Sequence, residues 1–153
     1  VILLNYDRPY NVHRLIKELK QQEKVDLDIW LWDSQPSREK EKLEEFDCRV
    51  IRDTINPGIF ARWELTRMAT SSYPLMWDDD IHLKGNLVVY DILQAKKKEK
   101  PEVIVGWRGV KMMTEGQSYT DCFHTRSELS EKDQRVHIVK GQIFMIDREF
   151  LEK

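Results

Sequence analysis

Glycine is scarce, with six residues in 153, and none of them builds a phosphate loop. Neither GxGxxG nor GxxxxGKS/T occurs, which argues against dinucleotide oxidoreductases and P-loop nucleotidases. The glycine-rich loop that follows the first strand of sugar nucleotidyltransferases is missing as well. Cysteine is equally sparse. Cys48 and Cys122 are too few for a disulfide framework, and reduced thiols fit a cytoplasmic setting. A Golgi lumen stays open if the chain is a trimmed domain. No apolar run approaches the roughly 20 residues of a membrane-spanning helix, and no signal or transit peptide is visible at Val1. Charge of one sign is lacking too: 25 Lys and Arg face 27 Asp and Glu, a net −2. Bulk electrostatics therefore predict neither a nucleic-acid nor a membrane partner. What is present, 41% hydrophobic and 34% charged residues, is enough for one domain with a real core over 1–153.

Apolar runs bounded by turn residues order the chain. "VILLN" (1–5) reads as a buried strand, broken by "YDRPY" with Pro9 fixing the turn. Asn11 can cap a helix whose Val12, Leu15, Ile16 and Leu19 recur at i, i+3, i+4 and i+7. "DIWLWDS" (28–34) and "CRVIRD" (48–53) are strands separated by a charged helix near Arg38–Phe46. "NPG" (56–58) turns into a helix with Ala61, Leu65, Met68 and Ala69 on one face. "PLMW" (74–77) is a fourth strand. "GNLVVYDILQAKKKEK" is a helix whose lysine run Lys96–Lys98 reads as a solvated cationic end. "EVIVGW" (102–107) is a fifth strand, 114–134 a long polar loop, and "HIVKGQIFMIDREFLEK" a last strand, interrupted at Gly141-Gln142, that leads into a helix. The alternation predicts an α/β fold with a mainly parallel central sheet flanked by helices on both faces. Ligands of such sheets bind beyond the carboxyl ends of the strands. Tyr6-Asp7-Arg8, Asp33-Ser34 and Asp78–Asp80 all fall there.

The triplet Asp78, Asp79, Asp80 behind "LMW" is the strongest chemical signal. Three adjacent carboxylates repel one another and call for a cation. Strand alternation puts Asp78 and Asp80 on one side and Asp79 on the other. Hard dications such as Mn²⁺ or Mg²⁺ take oxygen ligands, one or two from protein and the rest from phosphate and water. A cation there would neutralise a diphosphate as leaving group. One Asp capping the next helix while the others are solvated is the bland alternative. A DxD after a hydrophobic strand also occurs in haloacid-dehalogenase-type phosphatases. Those want Thr or Val four residues after the first Asp, where His82 stands here, and usually carry the motif on the first strand.

"LMWDDD" resembles the DxD motif of nucleotide-sugar glycosyltransferases with the GT-A, Rossmann-like fold. "LLNYDRPYNVHRLIKEL" is similar to their first strand and helix, "NPGIFARWELTRMA" to their NxGxxxARNxG segment, and "VIVGWRG" and "VKGQIFMIDREFL" to later strands. "WDDD" and "IVGW" are most similar to exostosin-like transferases, or to a related virus-encoded glycosyltransferase. The resemblance implies a metal-dependent transfer of a sugar from a nucleoside-diphosphate sugar, foremost a UDP-sugar, to a hydroxyl of a glycan or glycoprotein acceptor, with retention in the exostosin-like case. It implies a metal ion (Mn²⁺ or Mg²⁺) on Asp80 with help from Asp78, and Asp78 near the ribose. Asp79 would lie near the donor sugar, Asp33 on uracil N3–H, Tyr6 on the base, and Arg8 at the base or diphosphate. Asn56 and Arg62 would touch nucleotide and sugar, so that Asp79 and Arg62 are the catalytic candidates. The family's later acidic element, and a His metal ligand, would fall after Lys153.

Each assignment has a plainer counterpart. Asn56 before Pro57 suits a turn, Arg62 and Arg67 suit a surface helix, and Tyr6 can pack its turn. Trp30 and Trp32 read as core, Trp77 as packing beneath the aspartates, and Trp107 as either packing or a sugar platform. His124 and His137 lack zinc-spaced partners, and Cys122 lacks a base. A non-catalytic module that binds a nucleotide sugar or a glycan is the third reading.

Overall fold

The computed structural model describes residues 1–34, 47–53, 57–111, 118, 123–124, 135–136 and 138–152. The charged helix expected near Arg38–Phe46, and the candidates Asn56, Cys122 and His137, lie outside them.

Strands β1 (Ile2–Asn5), β2 (Trp30–Asp33), β3 (Arg49–Arg52) and β4 (Leu75–Trp77) run parallel. They are joined by β5 (Val105–Gly106) and β9 (Ile143–Met145) in a six-stranded sheet of order β3-β2-β1-β4-β9-β5. β9 is antiparallel to both its neighbours. A second sheet of order β7-β6-β8 pairs β6 (Gly109–Lys111) with β7 (Phe123–His124) and β8 (Ile138–Val139). The single last strand read from the sequence is therefore two strands in two sheets, divided at Lys140-Gly141-Gln142. The polar loop expected around His124 contributes a strand. Gly106 is required by this junction, because a Cβ there would lie 2.2 Å from Val139 Cγ1.

Helix α1 (Pro9–Lys20) begins at Pro9, whose fixed φ suits the first helical position, so Asn11 is not the cap. Its Val12, Leu15, Ile16 and Leu19 are buried as the spacing predicts. With α3 (Val88–Lys97) they cover one face of the sheet, against Leu3, Leu31, Leu75, Trp77 and Met145. Helix α2 (Phe60–Met68) covers the other face through Leu65, with Ala69 just beyond it, against Ile2, Trp30, Met76 and Phe144. Met68, expected on the buried stripe, is exposed. Each fully buried Leu, Ile or Met contributes about 1.5–3 kcal/mol, and period-two alternation along β1, β2 and β4 feeds both layers. Helix α4 (Arg148–Leu151) follows, with Asp147 Oδ1 accepting from Glu149 N at 3.0 Å.

The lysine run departs from its reading as a solvated end. Lys96 is fully buried, donating to Lys100 O at 3.0 Å and lying 3.8 Å from Asp147 Oδ2. Lys97 and Lys98 are exposed. No helix among the described residues is long and apolar enough to cross a membrane.

Candidate active site

The parallel register places the ends of β1, β2, β3 and β4 on one rim. Because β9 runs backwards, its beginning lies there too: Asp78 N donates to Gln142 O at 2.8 Å. Trp107, after β5, donates to Ile143 O at 3.0 Å on the same rim. Tyr6, Arg8, Asp33, Asp78–Asp80, Trp107, Arg108 and Gln142 are thus gathered at one edge.

β4 stops at Trp77, and Asp79-Asp80 form a turn in which Ile81 N donates to Asp78 O at 3.3 Å. The strand alternation expected for the triplet is therefore replaced. Asp78 stands apart, its Oδ1 accepting from Arg62 Nη2. Asp79 Oδ1 and Asp80 Oδ2 instead share one cation, each 3.5 Å from Arg8 Nη1. The turn is held from behind by Trp77, whose Nε1 donates to Ile81 O at 3.0 Å. Glu18 of α1 accepts from Leu83 N at 3.0 Å, and Gln22 accepts from Val89 N at 3.0 Å. Sequence reading placed Trp77 correctly beneath the turn but gave no sign of the Glu18 and Gln22 ties, which span long separations.

Arg62 projects from α2 across the rim. Its Nη1 donates to Gly141 O at 2.8 Å, while its buried Nε has no hydrogen-bond partner among the described residues. Burial lowers its affinity for the proton, and Asp79 and Asp80 pull the other way. Arg62 is thus held in place by these contacts and is not a loose surface charge. Arg108 Nη1 donates to Gln142 Oε1 at 3.4 Å on the far side of the same turn.

Asp33 does not stand open at its strand end. It is fully buried, accepting from Asn5 Nδ2 at 2.9 Å, with Arg52 Nε 3.7 Å from its other oxygen. Asn5 also accepts from Arg8 N at 3.0 Å. One amide therefore ties the buried Asp33 carboxylate to the Arg8 turn. The signal for Asn5 was available in the sequence: it is a polar residue ending an apolar strand. Tyr6 is more than half exposed, open for stacking.

The donor chemistry suits a hard cation. Among the described residues no three His, Cys, Asp or Glu side chains form a ready ligand set. A dication that takes most of its ligands from phosphate and water does not need one. Arg8 itself shows that positive charge is accommodated between Asp79 and Asp80.

The profile of glycosyl transferase family 2 matches residues 1–153. The chain belongs to that family. Two solved structures share the glycosyltransferase's fold. One is a mannosyltransferase from Pyrobaculum calidifontis in complex with GDP-Man and Mn²⁺, at TM-score 0.65 and 16% identity, matched over 99% of this chain and 44% of its own. The other is CMP:2-keto-3-deoxy-manno-octonic acid synthetase complexed with CTP, at TM-score 0.61 and 15% identity, over 99% of this chain and 75% of that one. The chain thus spans less than half the length of the mannosyltransferase. No curated protein sequence matches it.

Burial raises the Asp79 carboxyl above its ordinary range; Arg8 opposes this and Asp80 adds to it. The folded family 2 domain then binds this proton more tightly than the unfolded chain does. The ionised carboxylate costs stability, a cost that appears as pH rises through its titration and is complete at neutral pH. Asp79→Asn should therefore raise Tm near pH 7 by thermal melting, and the gain should vanish at about pH 3, where the parent carboxyl is protonated in both states. A lower Tm for the variant near pH 7 would contradict this account.

Proposed function

We propose that this domain transfers a sugar from a nucleoside-diphosphate sugar to a hydroxyl of a glycan or glycoprotein acceptor, with Mn²⁺ or Mg²⁺. The observation that carries the reading is the turn at Asp79-Asp80, faced by Arg8 and flanked by the Asp78–Arg62 pair, on the rim where such sheets bind ligands. Asp80 and Asp79 would hold the metal, and Asp78, kept by Arg62, would lie close enough to act through water. The metal, when bound, supplies a Lewis acid that stabilises the departing diphosphate. This chain's own residues do the rest. Tyr6 offers a stacking face for the base. Arg8 contributes guanidinium hydrogen bonds to the diphosphate, stronger than neutral ones. Arg62, fixed by Gly141 and Asp78, sets a positive charge where the donor sugar meets the diphosphate. Asp79, half-sheltered, faces the sugar. Asn56 would join the nucleotide side. Asp33 would reach uracil N3–H only after its partners Asn5 and Arg52 part from it.

A UDP-sugar is the first choice of donor, carried by the likeness of "WDDD" and "IVGW" to exostosin-like segments, which also supports a hexosyl donor transferred with retention. The Pyrobaculum calidifontis neighbour's GDP-Man makes GDP the natural comparison. Family membership leaves the phosphatase reading without support.

The test is a thermal-shift screen of UDP, GDP and CMP, each with and without Mn²⁺. Ligand at 100 times its Kd stabilises by about 2.7 kcal/mol, or roughly 5–10 °C for a domain of this size. One nucleotide should give that shift only with Mn²⁺. Shifts indifferent to the metal would overturn the assignment, and nucleotide release from a UDP-sugar only when acceptor is present would separate transfer from mere binding.

A further inference from the structure

Arg8 combines a fixed base with a free arm. Its backbone N–H is held by Asn5 Oδ1 at 3.0 Å, and its carbonyl accepts from Asn11 N at 3.0 Å and Val12 N at 3.2 Å. Pro9 follows, with its φ locked by the ring. The side chain, by contrast, is 57% exposed and touches Asp79 and Asp80 through a single nitrogen, 3.5 Å from each. That distance is an ion pair without a short hydrogen bond; the pair with Asp80 is exposed on both sides and worth only about 0–1 kcal/mol, while Asp79 is the more sheltered partner. Arg62 already takes Asp78. Arg62 adds charge at longer range, but among the described residues Arg8 is the one cation in direct ion-pair contact with the remaining two carboxylates. A dication would match the two carboxylates fully and leave the guanidinium without an anion. On its pinned base at the same rim, that guanidinium is placed for the one strong anion the reaction brings, the diphosphate, which its planar fork suits.

We propose that Arg8 is an exchangeable cation: it neutralises Asp79 and Asp80 when they hold no metal, and passes to the donor diphosphate when a divalent ion takes its place. The proposal rests on the reading of Asp79 and Asp80 as the metal site. It makes metal and nucleotide binding mutually reinforcing, because the metal frees the group that the diphosphate needs, and the diphosphate keeps that group from returning.

The exchange predicts effects of opposite sign from one substitution, which a merely structural arginine would not give. Mn²⁺ is titrated calorimetrically into the parent and Arg8→Gln without nucleotide, and UDP, with GDP as second probe, is then titrated into each at saturating Mn²⁺. Arg8→Gln should bind Mn²⁺ about 2- to 5-fold more tightly, since the competitor is gone. It should bind the nucleoside diphosphate at least about 10-fold more weakly, having lost a charge-assisted contact. Arg8→Lys, which keeps the charge, should bind Mn²⁺ like the parent. Arg8→Gln that melts like the parent but binds Mn²⁺ no more tightly overturns the exchange, whatever becomes of its nucleotide affinity. If the melt itself drops, an Arg8→Lys variant that binds Mn²⁺ more tightly than the parent overturns it equally. A parent that binds no Mn²⁺ at all removes the metal site itself, a result distinct from either.

Discussion

Asp80→Ala should abolish the Mn²⁺-dependent part of nucleotide stabilisation while leaving the unliganded melt close to that of the parent. The two halves of this expectation come from the same geometry. Asp80 is the most exposed carboxylate of the triplet, with half of its side chain in solvent, and its described partner is Arg8 at 3.5 Å. Exposed ion pairs contribute little to folding, and removing one of two neighbouring like charges relieves repulsion at Asp79. The folded chain therefore loses almost nothing. The loaded site loses an oxygen ligand that neither Asp78, engaged with Arg62, nor any His or Cys among the described residues is gathered to replace. Sugar release from the donor should fall by at least about 100-fold, the scale on which one preorganised electrostatic group acts. A variant that still shows the parent's metal-dependent shift would place the ion elsewhere.

Trp77→Ala should be the most damaging single change to the fold, and Trp77→Phe the more informative one. Trp77 is 1% exposed and belongs to the cluster beneath α1 and α3. Truncating such a residue to alanine costs about 3–5 kcal/mol, which lowers Tm on the order of 10 °C. Phenylalanine keeps most of the packing and deletes only the indole N–H that reaches Ile81 O. The fold should then lose only about 1 kcal/mol. The turn at Asp79-Asp80 loses the bond that fixes its closing residue, and Mn²⁺ affinity should weaken several-fold by titration. If Trp77→Phe melts near the parent and binds Mn²⁺ equally well, the indole serves packing alone.

Much of the architecture was legible because it depends on short-range rules. The i, i+3, i+4, i+7 stripe of α1 and the β-branched runs of β1 and β3 each announce one element, and their alternation announces a parallel sheet. β9 escaped because strand direction is a long-range property. "QIFMID" is as compatible with an antiparallel strand as with a parallel one, and only its pairing with β4 and β5 decides. Lys96 was misread for the same reason. Its run of lysines looks solvated, and only the chain turning back at Lys100 and Asp147 offers its ammonium enough acceptors to be buried. At the site, the sequence located the triplet and named Arg8, Arg62 and Tyr6, but it could not divide the carboxylates between them. That division follows from where β4 stops. One more strand residue would have set Asp78 and Asp80 together; a turn after Trp77 sets Asp79 beside Asp80.

The reversed strand has a consequence for how such a domain diversifies. In an all-parallel sheet only the segments leaving the strands face the ligand. Here the stretch arriving at β9, Lys140 to Gln142, lies on that rim as well, and belongs to a different part of the chain from the residues proposed to grip the nucleotide. With the proposed division of labour, one half of the edge could be redrawn to accommodate a new recipient molecule while the other went on accepting the same activated sugar.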